Sequence, residues 1–86
     1  MKYILVAFKA KNSLYRFVEF LKSKNIQAYI VNTPSPLTTS CGLSAKVNLS
    51  AYNFLIDLLR KNYFNNLLGC YIVETNGLQQ KFEKIF

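Results

Sequence analysis

The residues best suited to chemistry lie in one ten-residue stretch of the chain, residues 33–42 (TPSPLTTSCG). It contains a thiol, Cys41, directly before Gly42 and after a run of hydroxyl side chains. Both prolines of the chain, Pro34 and Pro36, also lie here. A β-hairpin usually needs about two to five connecting residues, so a longer loop in a small protein favours a functional role.

A thiol becomes a nucleophile when its thiolate is stabilised by cations, helix N-termini or backbone N–H groups. The hydroxyls of Thr39 and Ser40 can donate hydrogen bonds to an anionic sulfur, and Gly42 allows a backbone angle that exposes neighbouring amides. We expect Pro34, Ser35 and Pro36 to support the loop, because the two prolines restrict the backbone conformations that it can adopt. The simpler interpretation is that Cys41 is a partly buried hydrophobic residue in a turn, and the residues alone leave both interpretations open.

Composition excludes several classes of site. The 86 residues contain no histidine, which removes Ser-His-Asp, Cys-His and His-based zinc sites within one chain. The four acidic residues are spread over separate segments, which disfavours paired-carboxylate catalysis and a hard-cation site; they are Glu19, Asp57, Glu74 and Glu83. We therefore expect no metal and no cofactor, and the chain is not expected to be a self-sufficient hydrolase.

Size and charge bound the remaining possibilities. A chain of 86 residues of which 51% are hydrophobic can form one domain with one core. Its apolar runs are too short to cross a bilayer, and no secretory signal is visible, so we expect a cytoplasmic protein without membrane contact. Two cysteines in a cytoplasmic chain argue against a disulfide framework. The net charge of +7 favours acidic partners.

Hydrophobic periodicity predicts four strands and two helices. The strands are predicted at residues 2–8, 27–32, 43–48 and 70–75. The first helix is predicted to be capped by Asn12 or Ser13 and to end near Lys24-Asn25, with Leu14, Phe17, Val18 and Leu21 buried. The second is predicted to follow Asn48 or Ser50, with Tyr52, Leu55, Ile56, Leu59 and Tyr63 buried. Beyond the Asn76-Gly77 turn, Leu78, Phe82 and Ile85 or Phe86 have the spacing of a short amphipathic helix.

This order predicts an α+β fold, a ferredoxin-like βαββαβ sandwich with a four-stranded antiparallel sheet in the order 4-1-3-2. Both helices should lie on one face, with a single domain at residues 1–75 and a tail at 76–86. The topology places the 33–42 loop at the end of the sheet where the first helix begins. Lys9 and Lys11, near Asn12 and Ser13, are then the candidates to stabilise a Cys41 thiolate, and the 65–70 turn should reach the same edge.

The proline loop, the Ser/Thr run and Cys41-Gly42, together with the preceding strand and the upstream Ile4–Phe8 run, resemble the Putative Se/S carrier protein-like family of small bacterial proteins. The resemblance implies a carrier that holds sulfur or selenium on Cys41 as a persulfide or its selenium analogue. It also implies partners such as a cysteine desulfurase or other sulfur- and selenium-relay proteins. Members often have an arginine where this chain has Ser35, and a Ser-Thr pair where it has Ala10-Lys11, so Lys11 is a candidate substitute contact.

Cys70 has two interpretations. It opens a buried strand, which predicts an inert core thiol. It also lies toward the same end of the sheet as Cys41, which leaves a resolving thiol open, although two strand spacings of about 10 Å exceed the usual disulfide reach.

Two other functions compete with the carrier. Aromatic residues on central strands bind RNA in domains of this topology, but the predicted third strand has none, so we expect no nucleic-acid binding. A regulatory or partner-binding module, in which Cys41 is structural, could instead have its open sheet face covered by a second copy of the chain.

Overall fold

The sheet is built around β1 (Lys2–Phe8), which is hydrogen-bonded on both edges in the computed structural model. The structure describes residues 1–34, 37, 42–61 and 66–85. The remaining elements are α1 (Lys11–Ser23), β2 (Ala28–Asn32), β3 (Leu43–Asn48), a 3-10 helix (Leu49–Ala51), α2 (Tyr52–Arg60), β4 (Leu67–Asn76) and β5 (Gln79–Lys84). Every neighbouring pair of strands is antiparallel, and the order across the sheet is β2-β3-β1-β4-β5.

The predicted four-stranded ferredoxin-like sandwich is wrong, because the described residues form a sheet of five strands. The neighbours of the first four strands are as predicted: β1 lies between β3 and β4, and β2 pairs with β3. The fifth strand comes from the tail, which was predicted to form a short helix.

The tail is a strand because Gly77 and Leu78 connect it to β4 as a two-residue hairpin. Gly77 has a φ of 67°, and Asn76 pairs with Gln79 directly across the turn. β4 is ten residues long, and without β5 its outer edge would present unpaired backbone groups. Pairing with β4 therefore determines the conformation of the tail, and Leu78 lies fully exposed at the turn.

One hydrophobic core lies between the sheet and both helices. Ile4, Val6 and Phe8 from β1 belong to the same buried cluster as residues of α1 and α2. The rings of Phe8 and Phe17 lie 5.2 Å apart between their centroids. The predicted buried positions of α1 are confirmed. In α2 the prediction holds for Leu55 and Leu59, whereas Tyr52 and Ile56 are only partly buried and Leu58 is buried without having been predicted. Tyr63 lies outside the described residues. Both helices therefore cover the same face of the sheet.

The helix boundaries follow local backbone chemistry. α1 begins at Lys11 after Ala10, and no side chain of the described segments caps it, so the predicted cap at Asn12 or Ser13 is wrong. It ends as predicted at Lys24-Asn25, where Asn25 has a φ of 62°. Asn48 is confirmed as the cap of the second helical segment, because its Oδ1 accepts a hydrogen bond of 3.0 Å from the Ser50 N–H. Neither helix has the length and apolarity that crossing a membrane would require, as far as the described residues extend.

The hairpin predicts a specific response to substitution at Gly77. Gly77→Ala should lower the free energy of unfolding by about 1 kcal/mol, because a side chain at positive φ is strained. Nothing lies within 4 Å of the position a methyl group would take, so a steric clash would not explain such a loss. Gly77→Asn should also lose stability, because Leu78 does not share the positive φ and a two-residue turn of that kind requires glycine at its first position. Urea unfolding measures both, and an Ala variant as stable as the parent chain would contradict the turn.

Candidate functional site

The base of the 33–42 loop is closed by backbone hydrogen bonds. The Thr33 N–H donates to the Gly42 carbonyl at 2.9 Å, which extends the β2–β3 ladder by one pair beyond Asn32 and Leu43. Gly42 has a φ of 71°, a conformation that glycine adopts without strain. Further out, the Leu37 N–H donates to the Pro34 carbonyl at 2.9 Å. The loop therefore begins and ends at defined positions.

The reactive positions predicted within the loop lie outside the described residues. These are Cys41, Ser40, Thr39, Ser35 and Pro36, and Thr38 lies outside as well. Their roles stay predictions. The structure describes the residues from which the loop departs and the edge of the sheet around them.

A pair of hydroxyls joins the two stems of the loop. Thr33 Oγ1 and Ser44 Oγ lie 2.8 Å apart, and Ser44 is completely buried. A buried hydroxyl needs such a partner, because leaving it unpaired costs free energy. Sequence analysis missed this pair, since only the β2–β3 register brings residues 33 and 44 together.

The predicted convergence of α1, the end of β1 and the start of β4 at one edge is confirmed. The Lys9 N–H donates to the Asn66 carbonyl at 2.7 Å, and Asn66 Nδ2 donates to Ser13 Oγ at 3.1 Å. Asn66 has a φ of 65°, and a bulge between Ala7 and Phe8 adjusts the β1–β4 register next to it. Because Ser44 pairs with Ala7, the loop base lies at this same edge.

Positive charge is concentrated at this edge. Lys9 and Lys11 are exposed there, and the first turn of α1 directs its N–H groups toward it. α2 runs toward the same end and finishes at Arg60, which the sequence analysis did not place in the site. Lys61 is paired with Asp57 at 3.2 Å, but both side chains are strongly exposed and the pair contributes little. An anion would find a favourable potential here.

Cys70 is a core residue. It lies in β4 and pairs with Val6 of β1. It has no exposed surface and belongs to the buried cluster beneath the helices. Burial raises the pKa of its thiol from 9.0 to about 12, because the thiolate would lose its hydration. The structure therefore supports the core interpretation over a resolving thiol. No group of three or more His, Cys, Asp or Glu capable of holding a metal occurs within the described ranges.

The hydroxyl pair predicts non-additive substitutions. Thr33→Val should lower the free energy of unfolding by about 1–3 kcal/mol, because it leaves the Ser44 hydroxyl buried without this partner. Adding Ser44→Ala should recover part of that loss, since the unpaired group is then removed. Urea unfolding of the parent, both single variants and the double variant measures the coupling. Strict additivity would contradict the assignment.

Cys70 should resist alkylation in the folded protein. In a Cys41→Ser variant, iodoacetamide at pH 8 should label Cys70 only after denaturation, because the folded chain keeps the thiol protonated and covered. Since the folded-state pKa is raised, stability from this group is present below pH about 9 and is lost as pH rises toward 12. Native labelling as fast as that of the denatured chain would contradict the core assignment.

A sequence model of the family described as "Putative Se/S carrier protein-like" matches residues 2–68. The match includes β1, α1, β2, the whole 33–42 loop, β3 and α2. Neither the search of curated proteins nor that of solved structures found a match to the chain. Because the family match covers 67 of the 86 residues, more than half of the chain, this protein belongs to the Se/S carrier family.

Proposed function

We propose that the protein carries sulfur or selenium on Cys41 and passes it to an acceptor. The observation that carries this proposal is the family match, which includes the loop and its cysteine. Cys70 is disfavoured as the carrier thiol by its burial and raised pKa. As Cys41 is the other cysteine of the chain, it is the candidate for the reactive thiol.

The surroundings of the loop suit a thiolate. Gly42 directly follows Cys41 in the chain, and its carbonyl is tied to the Thr33 N–H at the edge that also holds Lys9, Lys11 and the start of α1. Cations and helix N-termini lower a thiol pKa by favouring the charged form. In this proposal Thr39 and Ser40 donate to the sulfur, and Pro34, Ser35 and Pro36 restrict the loop.

The transfer step balances without an added oxidant. The Cys41 thiolate attacks the terminal sulfur of a donor persulfide, R–S–SH, a new S–S bond forms at Cys41, and the donor S–S bond breaks. The products are Cys41–S–SH and the donor thiolate, R–S⁻, which takes the electron pair of the broken bond. Selenium in the terminal position follows the same course. This step needs no histidine as a base, because the proposed nucleophile is a thiolate and the leaving group is also a thiolate.

A cysteine desulfurase is the proposed donor, because it produces a protein-bound persulfide. The cytoplasm is the proposed location, because reduced thiols persist there. In this proposal the protein acts as a shuttle rather than a true enzyme, because Cys41 holds the sulfur only between its transfer from the donor and its transfer to the acceptor.

Persulfide loading tests the carrier directly. Incubation with a cysteine desulfurase and cysteine should add one sulfur atom to the parent chain, as measured by intact mass, because Cys41 accepts the terminal sulfur. A Cys70→Ala variant should load equally, and Cys41→Ser should not load. An unmodified parent chain, or equal loading of Cys41→Ser, would contradict the proposal. The dependence of alkylation rate on pH in Cys70→Ala gives the pKa of Cys41, and Lys11→Gln should raise it.

A further inference from the structure

The face of the sheet opposite the helices has a distinct chemistry. Ile4, Val6 and Phe8 point into the core, so Leu5 lies on the opposite face, which we call the open face. Directly paired residues of antiparallel strands share a face. One row across the open face is therefore Tyr29, Lys46, Leu5, Tyr71 and Lys84, and the adjacent row contains Asn48, Tyr3, Val73 and Phe82.

Four aromatic side chains lie on this face, each from a different strand: Tyr3, Tyr29, Tyr71 and Phe82. Tyr29 is 57% exposed. The Tyr71 ring and the aliphatic part of Lys84 lie close to Gly69. A methyl group added at residue 69 would be 3.2 Å from Tyr71 Oη and 3.4 Å from Lys84 Cε. Tyr29 and Tyr71 are three strand spacings apart, roughly 14 Å. The aromatic groups thus extend across most of the sheet.

Every charged side chain that the structure describes on the open face is positive. The Lys46 ammonium lies 4.7 Å from the centroid of the Tyr3 ring, and Lys84 is exposed beside Tyr71. The acidic side chains all lie elsewhere: Glu74 and Glu83 point to the helix side of the sheet, and Glu19 and Asp57 are on the helices. A pocket of about 230 Å³ lies between Tyr3, Tyr29 and Lys46.

We propose that the open face binds single-stranded nucleic acid. Unpaired bases would stack on Tyr29 and Tyr71, with Tyr3 and Phe82 beside them, and Lys46 and Lys84 would contact phosphates. A sheet surface of this kind stacks about two or three bases. Duplexes fit poorly, because their bases are already stacked and paired.

A second copy of the chain fits this face less well. Two open faces in contact would place the Lys46 and Lys84 side chains of both copies in one interface, with no carboxylate from either face to neutralise them. Burying cations without partners is costly. A polyanion would instead neutralise Lys46 and Lys84, and the tyrosine rings would provide surfaces on which bases stack. The inference does not depend on sulfur or selenium transfer, because Cys41 has no part in it.

Binding is measured by fluorescence anisotropy of labelled single-stranded RNA and DNA of mixed sequence, with the full chain at several salt concentrations. Single-stranded RNA, DNA or both should bind, and affinity should fall as salt rises, because phosphate contacts release counterions. Tyr29→Ala should weaken binding about tenfold, as expected when one base no longer has a ring to stack on. The plot of the logarithm of the binding constant against the logarithm of the salt concentration has a negative slope. Lys46→Gln with Lys84→Gln should make that slope shallower by about 0.7 for each phosphate that the variant no longer neutralises.

Matched controls come from the helix side of the protein. Tyr15→Ala removes an exposed tyrosine of α1, and Arg16→Gln with Lys24→Gln removes the same charge as the open-face pair from exposed positions on the helix side. Both controls should bind like the parent chain. The proposal is overturned if they lose as much affinity as the open-face variants, if a duplex of equal length binds as tightly, or if neither single strand binds at low salt. Sedimentation velocity showing a dimer disrupted by Tyr29→Ala would assign the face to self-association instead.

Discussion

β1 provides the constraint on which the rest of the structure depends. It is hydrogen-bonded to β3 and β4, and five consecutive residues, 4–8, are buried. Its two faces are unequal, because Ile4, Val6 and Phe8 fill the core beneath the helices while Leu5 and Ala7 form the smaller opposite face. A shift of one residue would place Ala7 where Phe8 now packs on Phe17, leaving a cavity. The register of β1 therefore determines where its neighbours begin and end.

The loop edge follows from that register. Phe8 pairs with Leu67 and Ala7 with Ser44, so the start of β4 and the base of the loop meet where β1 passes into α1. Asn66 joins this edge through bonds to Lys9 and Ser13, and the Thr33–Ser44 hydroxyl pair joins the two loop stems. These contacts are hydrogen bonds rather than apolar packing. They stabilise the edge around the loop while Lys9 and Lys11 stay exposed there.

The two surfaces for which functions are proposed differ in chemistry. The loop edge combines lysines, a helix start and the residues next to Cys41 in the chain, and this combination is the basis of the proposed sulfur or selenium carrier. The open face combines aromatic rings with Lys46 and Lys84, which suits a polyanion with flat bases. Cys70 serves neither, because it lies on the helix side of the sheet inside the core. Because the helices cover only one face of the sheet, the two proposed functions would use separate surfaces.

Local pattern was sufficient for much of this protein. The bounds of β1 and β3, the buried positions of α1, the Asn48 cap and the position of Cys70 in a buried strand depend on periodicity or on neighbouring residues, and the sequence predicted each. The family could also be predicted, because its motif is contiguous. The start of α1 could not, because it begins after Ala10, which provides no capping side chain.

Tertiary structure decided the rest, for reasons of strand pairing. Leu78, Phe82 and Ile85 have helical spacing, yet the unpaired edge of β4 draws the tail into β5. The open-face aromatics come from four separate strands, so no local pattern unites them, and the sequence indicated only that β3 contributes no aromatic residue. By itself the sequence determined the first four strands, the two helices and which loop carries the thiol. Only strand pairing decided which side chains share a face or an edge, because backbone hydrogen bonds join residues far apart in the chain.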